Sequence, residues 1–175
     1  MEVDLGCGKG RFLLAHAAAH PDINLLGTDI QVGRLQKVRT RAERAGLANI
    51  RLLHTDTDYV LEYLIPRDSI RTFYLFFPDP WPKRRHAKRR MFRDVSAEQF
   101  ARTLVPDGRL IMKTDVPVSF IRIRRVMRDS HLFDLEEMRV WRGPSPLEDN
   151  IPTNFETKYA RIGKEVFYAR WKVKK

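Results

Sequence analysis

Short apolar runs alternate with helix-forming segments along this entire chain, and that alternation restricts the fold more than any other feature. Residues 3–5, 23–28 (INLLGT), 50–53, 72–77 (TFYLFF), 109–113, 135–141 and 166–172 read as seven strands. Between them, residues 10–20, 32–45, 59–65 and 96–104 read as helices. A further helix follows Asp115, a candidate N-cap, with Pro117 in its first turn. Pro106-Asp107-Gly108 reads as a turn leading into the fifth strand, and residues 143–152 as a proline-bearing loop. Strands that are apolar along nearly their whole length must be covered on both faces. The expected fold is therefore α/β: a mostly parallel seven-stranded sheet with helices on both faces, in a single domain over residues 1–175.

Composition narrows the setting. The chain has 175 residues, 43% of them hydrophobic and 31% charged, enough for one real core and unlike a disordered chain. One cysteine excludes an internal disulfide framework and a multi-cysteine metal site, so no metal is expected. No uncharged apolar run nears the ~18 residues that a membrane span requires. The opening Met-Glu-Val-Asp carries neither the basic flank nor the apolar core of a signal peptide. A cytoplasmic protein without a membrane partner is expected, as monomer or homodimer.

Charge points to a polyanionic partner. There are 33 Lys and Arg against 22 Asp and Glu, a net +11. Residues 83–93, KRRHAKRRMFR, hold seven of the basic residues and no acidic one, leaving 26 against 22 elsewhere. Like charges packed this densely repel unless an anion relieves them.

The first strand runs directly into Asp4-Leu5-Gly6-Cys7-Gly8-Lys9-Gly10, and a helix begins at once. In an open α/β sheet, ligands sit at the carboxyl ends of the strands. Gly6, Gly8 and Gly10 let the backbone pass close beneath a ligand, and the helix N-terminus offers unpaired N–H groups. The G-x-G-x-G spacing departs from the G-x-G-x-x-G of dinucleotide sites and favours a nucleoside ligand without a pyrophosphate. Asp29, ending the second strand, can accept hydrogen bonds from both ribose hydroxyls. Asp56, just past the third, lies in reach of an adenine amino group, and Asp4 in reach of an ammonium or an ordered water. Together these suggest a site for S-adenosyl-L-methionine. Cys7 has no histidine placed to activate it and reads as a small loop residue.

The fourth strand delivers Phe76-Phe77-Pro78-Asp79-Pro80-Trp81-Pro82-Lys83 to the same rim. Prolines on either side hold Asp79 on a stiff loop, as a positioned catalytic group requires. Trp81 offers a stacking face and Lys83 opens the basic run. A cofactor-side acid, an aromatic and a polyanion-binding run are thus contiguous, which joins a methyl donor to a nucleic acid.

The block FFPDPWPKRRHAKRR, with the later Thr153-Asn154-Phe155-Glu156, resembles the tRNA (guanine-N7-)-methyltransferases. The resemblance extends from Asp4 to the final strands. It implies a Rossmann-like class I methyltransferase that uses S-adenosyl-L-methionine to methylate a guanosine of the tRNA variable loop, conventionally position 46. It implies that Asp4, Asp29, Asp56 and Asp79 bind the donor, with Asp79 also catalytic. Lys83, Asp115 and Thr153 to Glu156 match substrate-binding positions, and Arg85, His86, Lys88, Arg89 and Arg90 fall in the RNA-contacting segment. Asp4 and Asp29 stand where family members often carry Glu, a shorter reach for the same charge. Family members also carry an N-terminal extension before the first strand, whereas this chain begins almost at that strand. The residues alone leave open a methyltransferase of another RNA or DNA base and a non-catalytic RNA-binding protein on the same fold. An NAD(P) oxidoreductase is disfavoured by the glycine spacing.

Overall fold

A computed structural model describes residues 1–79 and 96–175 of the chain. The sequence-predicted residues Lys83, Arg85, His86, Lys88, Arg89 and Arg90 lie outside the described residues, as does Trp81.

Seven strands form one sheet in the order β3-β2-β1-β4-β5-β7-β6. They are β1 (Glu2–Leu5), β2 (Leu25–Asp29), β3 (Ile50–His54), β4 (Ile70–Phe76), β5 (Leu104–Thr114), β6 (Phe133–Trp141) and β7 (Val166–Val173). The first five are parallel. β7 inserts antiparallel between β5 and β6. Helices α1 (Arg11–Ala19), α2 (Val32–Arg44), α3 (Thr57–Tyr59, continuing as a π-helical turn over Val60–Leu64), α4 (Ser96–Thr103), α5 (Pro117–Ser130) and α6 (Asn154–Ile162) make the connections.

The cover on both faces follows from strand alternation. Val3, Leu5, Phe73, Leu75, Leu110 and Met112 point to one side and meet Leu61, Phe100, Phe120 and Met127 from the α3-to-α5 region. On the other side α1 and α2 bury Leu13, Leu14, Val38 and Ala42 against Leu25 and Ile50. Tyr159 of α6 packs with Trp141, Val166 and Tyr168. Each fully buried large side chain contributes about 1.5–3 kcal/mol relative to exposure. Among the described residues no helix is long and apolar enough to cross a membrane.

Three local expectations are corrected. The Pro106-Asp107-Gly108 turn lies inside β5, as an irregularity where the pairing with β4 shifts register between Ile70 and Thr72. Asp107 takes a left-handed φ of 63° there, and the strand resumes at Arg109. The N-cap of α5 is Val116 rather than Asp115, and the Val116 N–H donates to Thr114 Oγ1 at 3.2 Å. Helix α6 was not anticipated, although Thr153 and Glu156 form a reciprocal capping box at its start. That S/T-x-x-E pattern was the available signal.

Parallel strands direct their carboxyl ends to one rim, and that rim holds the glycine loop, Asp29, Asp56, Phe77 and Asp115. Gly10 anchors the loop to the core. Its φ is +69°, and a Cβ there would lie 2.6 and 2.8 Å from the two Val38 methyl carbons of α2. Gly10→Ala should therefore cost about 2–3 kcal/mol through combined backbone strain and overpacking. Gly33→Ala, whose Cβ would meet nothing within 4 Å inside α2, should stabilise by about 0.5 kcal/mol. Urea denaturation of both variants measures the contrast.

Candidate active site

The glycine loop is held by hydrogen bonds to the end of β2. The Gly8 N–H donates to Asp29 Oδ2 at 2.9 Å, and the Gln31 N–H donates to Asp29 Oδ1 at 2.8 Å. The Cys7 N–H donates to the Thr28 carbonyl at 2.8 Å, the Gly6 N–H to Thr28 Oγ1 at 3.4 Å and the Gly10 N–H to the Cys7 carbonyl at 2.9 Å. The loop donors expected to face a ligand are thus largely spent on the loop's own shape. Gly6, Gly8 and Gly10 all adopt left-handed φ. A Cβ on Gly8 would approach only the Gly6 carbonyl, at 3.9 Å, so this surface stays open to a close ligand.

Asp29 is buried with both carboxylate oxygens engaged, and Arg34 Nη1 stands 3.7 Å from it. Each oxygen retains a second lone pair. Asp4 is different. It is 3% exposed, lines the cleft and has no hydrogen-bond partner among the described residues. Burial, with the nearby Asp29 carboxylate adding to it, pushes its carboxyl from 3.8 up to about 7. A buried acid held this way is suited to an arriving cation or hydrogen-bond donor. Cys7 is pushed strongly upward by burial and by the neighbouring Asp4 and Asp29 carboxylates, so the thiol is not a nucleophile. Asp56 is exposed and caps α3 by accepting the Tyr59 N–H at 2.8 Å.

A cleft of about 280 Å³ opens between this loop and α6. Asp4, Gly6 and Gly8 line one wall. Phe77, Thr153, Asn154 and Phe155 line the other. Asp79, exposed, stands two residues beyond Phe77. Asp115 lies outside the lining; it pairs with Lys164, and burial together with the nearby Asp115 carboxylate pushes the Tyr159 hydroxyl of α6 up to about 12. Among the described residues no cluster of His, Cys, Asp or Glu is placed to hold a metal ion.

The second wall depends on a residue that the sequence reading took only as the end of a strand. Lys113, 3% exposed at the end of β5, places Nζ 2.9 Å from Glu156 Oε1, itself on a residue 5% exposed. The same ammonium bonds Asn150 and sits 4.7 Å from the Phe76 ring centroid. The other Glu156 oxygen accepts the Thr153 N–H at 2.9 Å, and Thr153 Oγ1 accepts the Glu156 N–H at 3.1 Å. Both Glu156 oxygens are therefore engaged within the protein. Burial holds the Lys113 ammonium below its ordinary range, and the Glu156 carboxylate opposes that shift. The signal available in sequence was a lysine ending an otherwise apolar strand, since a buried lysine requires a partner.

Glycine loop, carboxylates at the strand ends and a sheet with its penultimate position filled by an antiparallel strand define a class I methyltransferase. Solved structures share this fold at low sequence identity. The 16S rRNA methyltransferase KamB matches with a TM-score of 0.70 at 15% identity, over 99% of this chain and 87% of that one. The N-methyltransferase NodS of Bradyrhizobium japonicum, in complex with S-adenosyl-L-homocysteine, gives 0.66 at 13%, over 99% and 78%. Residues 1–169 match the family model described as a putative methyltransferase. The chain belongs to the tRNA (guanine-N7-)-methyltransferase family. The relative from Geobacillus kaustophilus is 33% identical over 168 residues, covering 95% of this chain and 76% of that protein. The relative from Streptococcus suis is 34% identical over 169 residues, covering 95% and 78%.

Two consequences are measurable. Lys113→Met leaves Glu156 buried and unpaired, and should cost about 3–5 kcal/mol in denaturant unfolding. The second concerns Asp4. Its folded value near 7 exceeds the 3.8 of an unconstrained carboxyl, so the folded chain holds a proton that the unfolded chain has lost. The associated stability is fully present below about pH 4 and declines as pH rises through 7, by up to about 4 kcal/mol. Thermal melts without donor should show this slope between pH 4 and 8 relative to Asp4→Asn, which removes it.

Proposed function

We propose that the protein methylates N7 of a guanosine in tRNA, at position 46 of the variable loop, with S-adenosyl-L-methionine as donor. The observation that carries this reading is the cleft shared by the glycine loop with Asp4, by Phe77 just past β4, two residues before Asp79, and by the Thr153–Phe155 wall. When bound, the donor supplies an electrophilic methyl group.

Asp4 and Gly8 of the cleft, with Asp29 and Asp56 outside its lining on the same rim, fit that donor. Asp4 presents a carboxyl that ionises readily once a cation shares its pocket, matching the donor's ammonium. Gly8 leaves room for close approach, and Asp29 holds the loop through the Gly8 and Gln31 N–H groups. Asp56 keeps one oxygen beyond the bond that caps α3.

Guanine N7 carries a lone pair and no proton, so no general base has to act before attack. The demand on the enzyme is alignment. Methylation makes the base cationic, and a carboxylate standing near the ring stabilises that charge as it develops. Asp79 is the group for this role. Asn154 and Phe155 face the acceptor side of the cleft, while Thr153 and Glu156 fix the start of α6 and Asp115 braces Tyr159. Lys83 and the run containing Arg85, His86, Lys88, Arg89 and Arg90 supply phosphate contacts, which give affinity without reading sequence.

Incubation with tRNA lacking the modification and radiolabelled donor, followed by nuclease digestion and mass spectrometry, should yield 7-methylguanosine at position 46. A methyl group on another atom or base would refute the assignment. Asp79→Ala should lower turnover by about 10²-fold or more at saturating donor. Turnover near that of the wild type would remove Asp79 from the chemistry.

A further inference from the structure

Four non-glycine residues among those described adopt a left-handed φ: Asp68, Phe77, Asp107 and His131. Aspartate and histidine visit that region readily, whereas a bulky aromatic is a true outlier. Phe77, with φ 52°, follows the last residue of β4 at the rim and immediately precedes Pro78. Strain of this kind persists only where the surroundings over-determine it, and it gathers at functional sites.

The surroundings here are specific. The Phe77 N–H donates to the Lys113 carbonyl at 2.7 Å, so the chain leaves the sheet while still bonded to β5. The Phe77 ring lies 5.4 Å from the Phe155 ring and 5.6 Å from Tyr159. Phe155 sits on the first turn of α6, behind the capping box and the Lys113–Glu156 pair, and remains 49% exposed. Both phenylalanines line the cleft. Its charged lining runs the other way from what a cationic base needs. Lys9, Arg11, Arg34 and Lys158 are basic, and Asp4 is the one acid among the lining residues.

We infer that Phe77 and Phe155 form the face on which the target guanine stacks, and that their π electrons stabilise the positive charge the ring acquires. The inference rests on the N7 reading above and adds to it. In the transfer, the N7 lone pair forms the new bond to the methyl carbon, the carbon–sulfur bond breaks and its electron pair stays on sulfur. No proton moves, and the positive charge passes from the sulfonium to the imidazole portion of guanine. An aromatic face attracts a cation through its quadrupole. The attraction strengthens as charge arrives, so it favours the transition state over the neutral ground state, which accelerates the step. The left-handed turn at Phe77 is the backbone feature that brings its ring to Phe155.

The test separates this role from packing. Site-specific fluorination of Phe155 keeps the ring's shape while weakening its quadrupole. Single-turnover rates with bound tRNA and saturating donor should fall stepwise with each fluorine, to about one-tenth for the trifluorinated ring. Phe155→Trp should keep or raise the rate, and Phe77→Leu and Phe155→Leu should lower it. Independently of turnover, calorimetry should show that the wild type binds 7-methylguanosine 5′-monophosphate several-fold more tightly than guanosine 5′-monophosphate, with the preference lost in Phe155→Leu. Rates unchanged across the fluorinated series, or equal affinity for the two nucleotides, would overturn the inference while leaving the N7 reading intact. Failure of the wild type to form 7-methylguanosine would overturn the reading itself.

Discussion

The ion pair between Lys113 and Glu156 is the constraint on which the acceptor half of the molecule depends. Two opposite charges removed from water are tolerable only when each is satisfied by close partners. Here the ammonium has a carboxylate, an amide oxygen and an aromatic face, and the carboxylate has the ammonium and a backbone N–H. Since Glu156 also closes the capping box, one contact fixes both the position of α6 against β5 and the residue at which the helix starts. Thr153, Asn154 and Phe155 inherit their places from it. A surface pair with the same separation would contribute little and hold nothing in place.

The donor half rests on a different device. Asp29 takes backbone N–H groups from the glycine loop and from the turn after β2, so its charge is compensated by peptide dipoles. Asp4, on the neighbouring strand, has no such partners among the described residues, and burial pushes its carboxyl up to about 7. Two aspartates of the same rim thereby have different surroundings. One belongs to the scaffold of the loop, and the other is left responsive to what enters the cleft.

Much of this was legible in the sequence, for identifiable reasons. The seven strands follow from apolar runs whose length and β-branched or aromatic content leave few alternatives. The positions of Asp4, Asp29, Asp56 and Asp79 follow from the parallel sheet, which sends each strand's end to one rim. What escaped were features that need partners distant in sequence. Lys113 is separated from Glu156 by the whole of α5, β6 and the loop before α6, and nothing local marks it as paired. The spent Gly6, Cys7 and Gly8 donors of the glycine loop are equally hidden, because their acceptors lie on β2. Helix α6 is marked locally only by the Thr153–Glu156 box, a pattern that serves equally as a recognition element and as a helix cap. Pro-Asp-Gly at residues 106–108 is strong turn chemistry, yet Leu104 before it and Arg109 after it both pair with β4, which keeps the segment within the strand.

The antiparallel course of β7 has a consequence for how such an enzyme can diversify. Strands β6 and β7 form a long hairpin whose connecting arm, residues 142–165, carries α6 and with it most of one side of the cleft, Phe77 being the exception. The opposite side comes from the first quarter of the chain. The two walls of the cleft are therefore largely encoded in separate blocks of sequence that meet only in space. The arm can change in length and composition while the strand ends on the opposite wall keep their places.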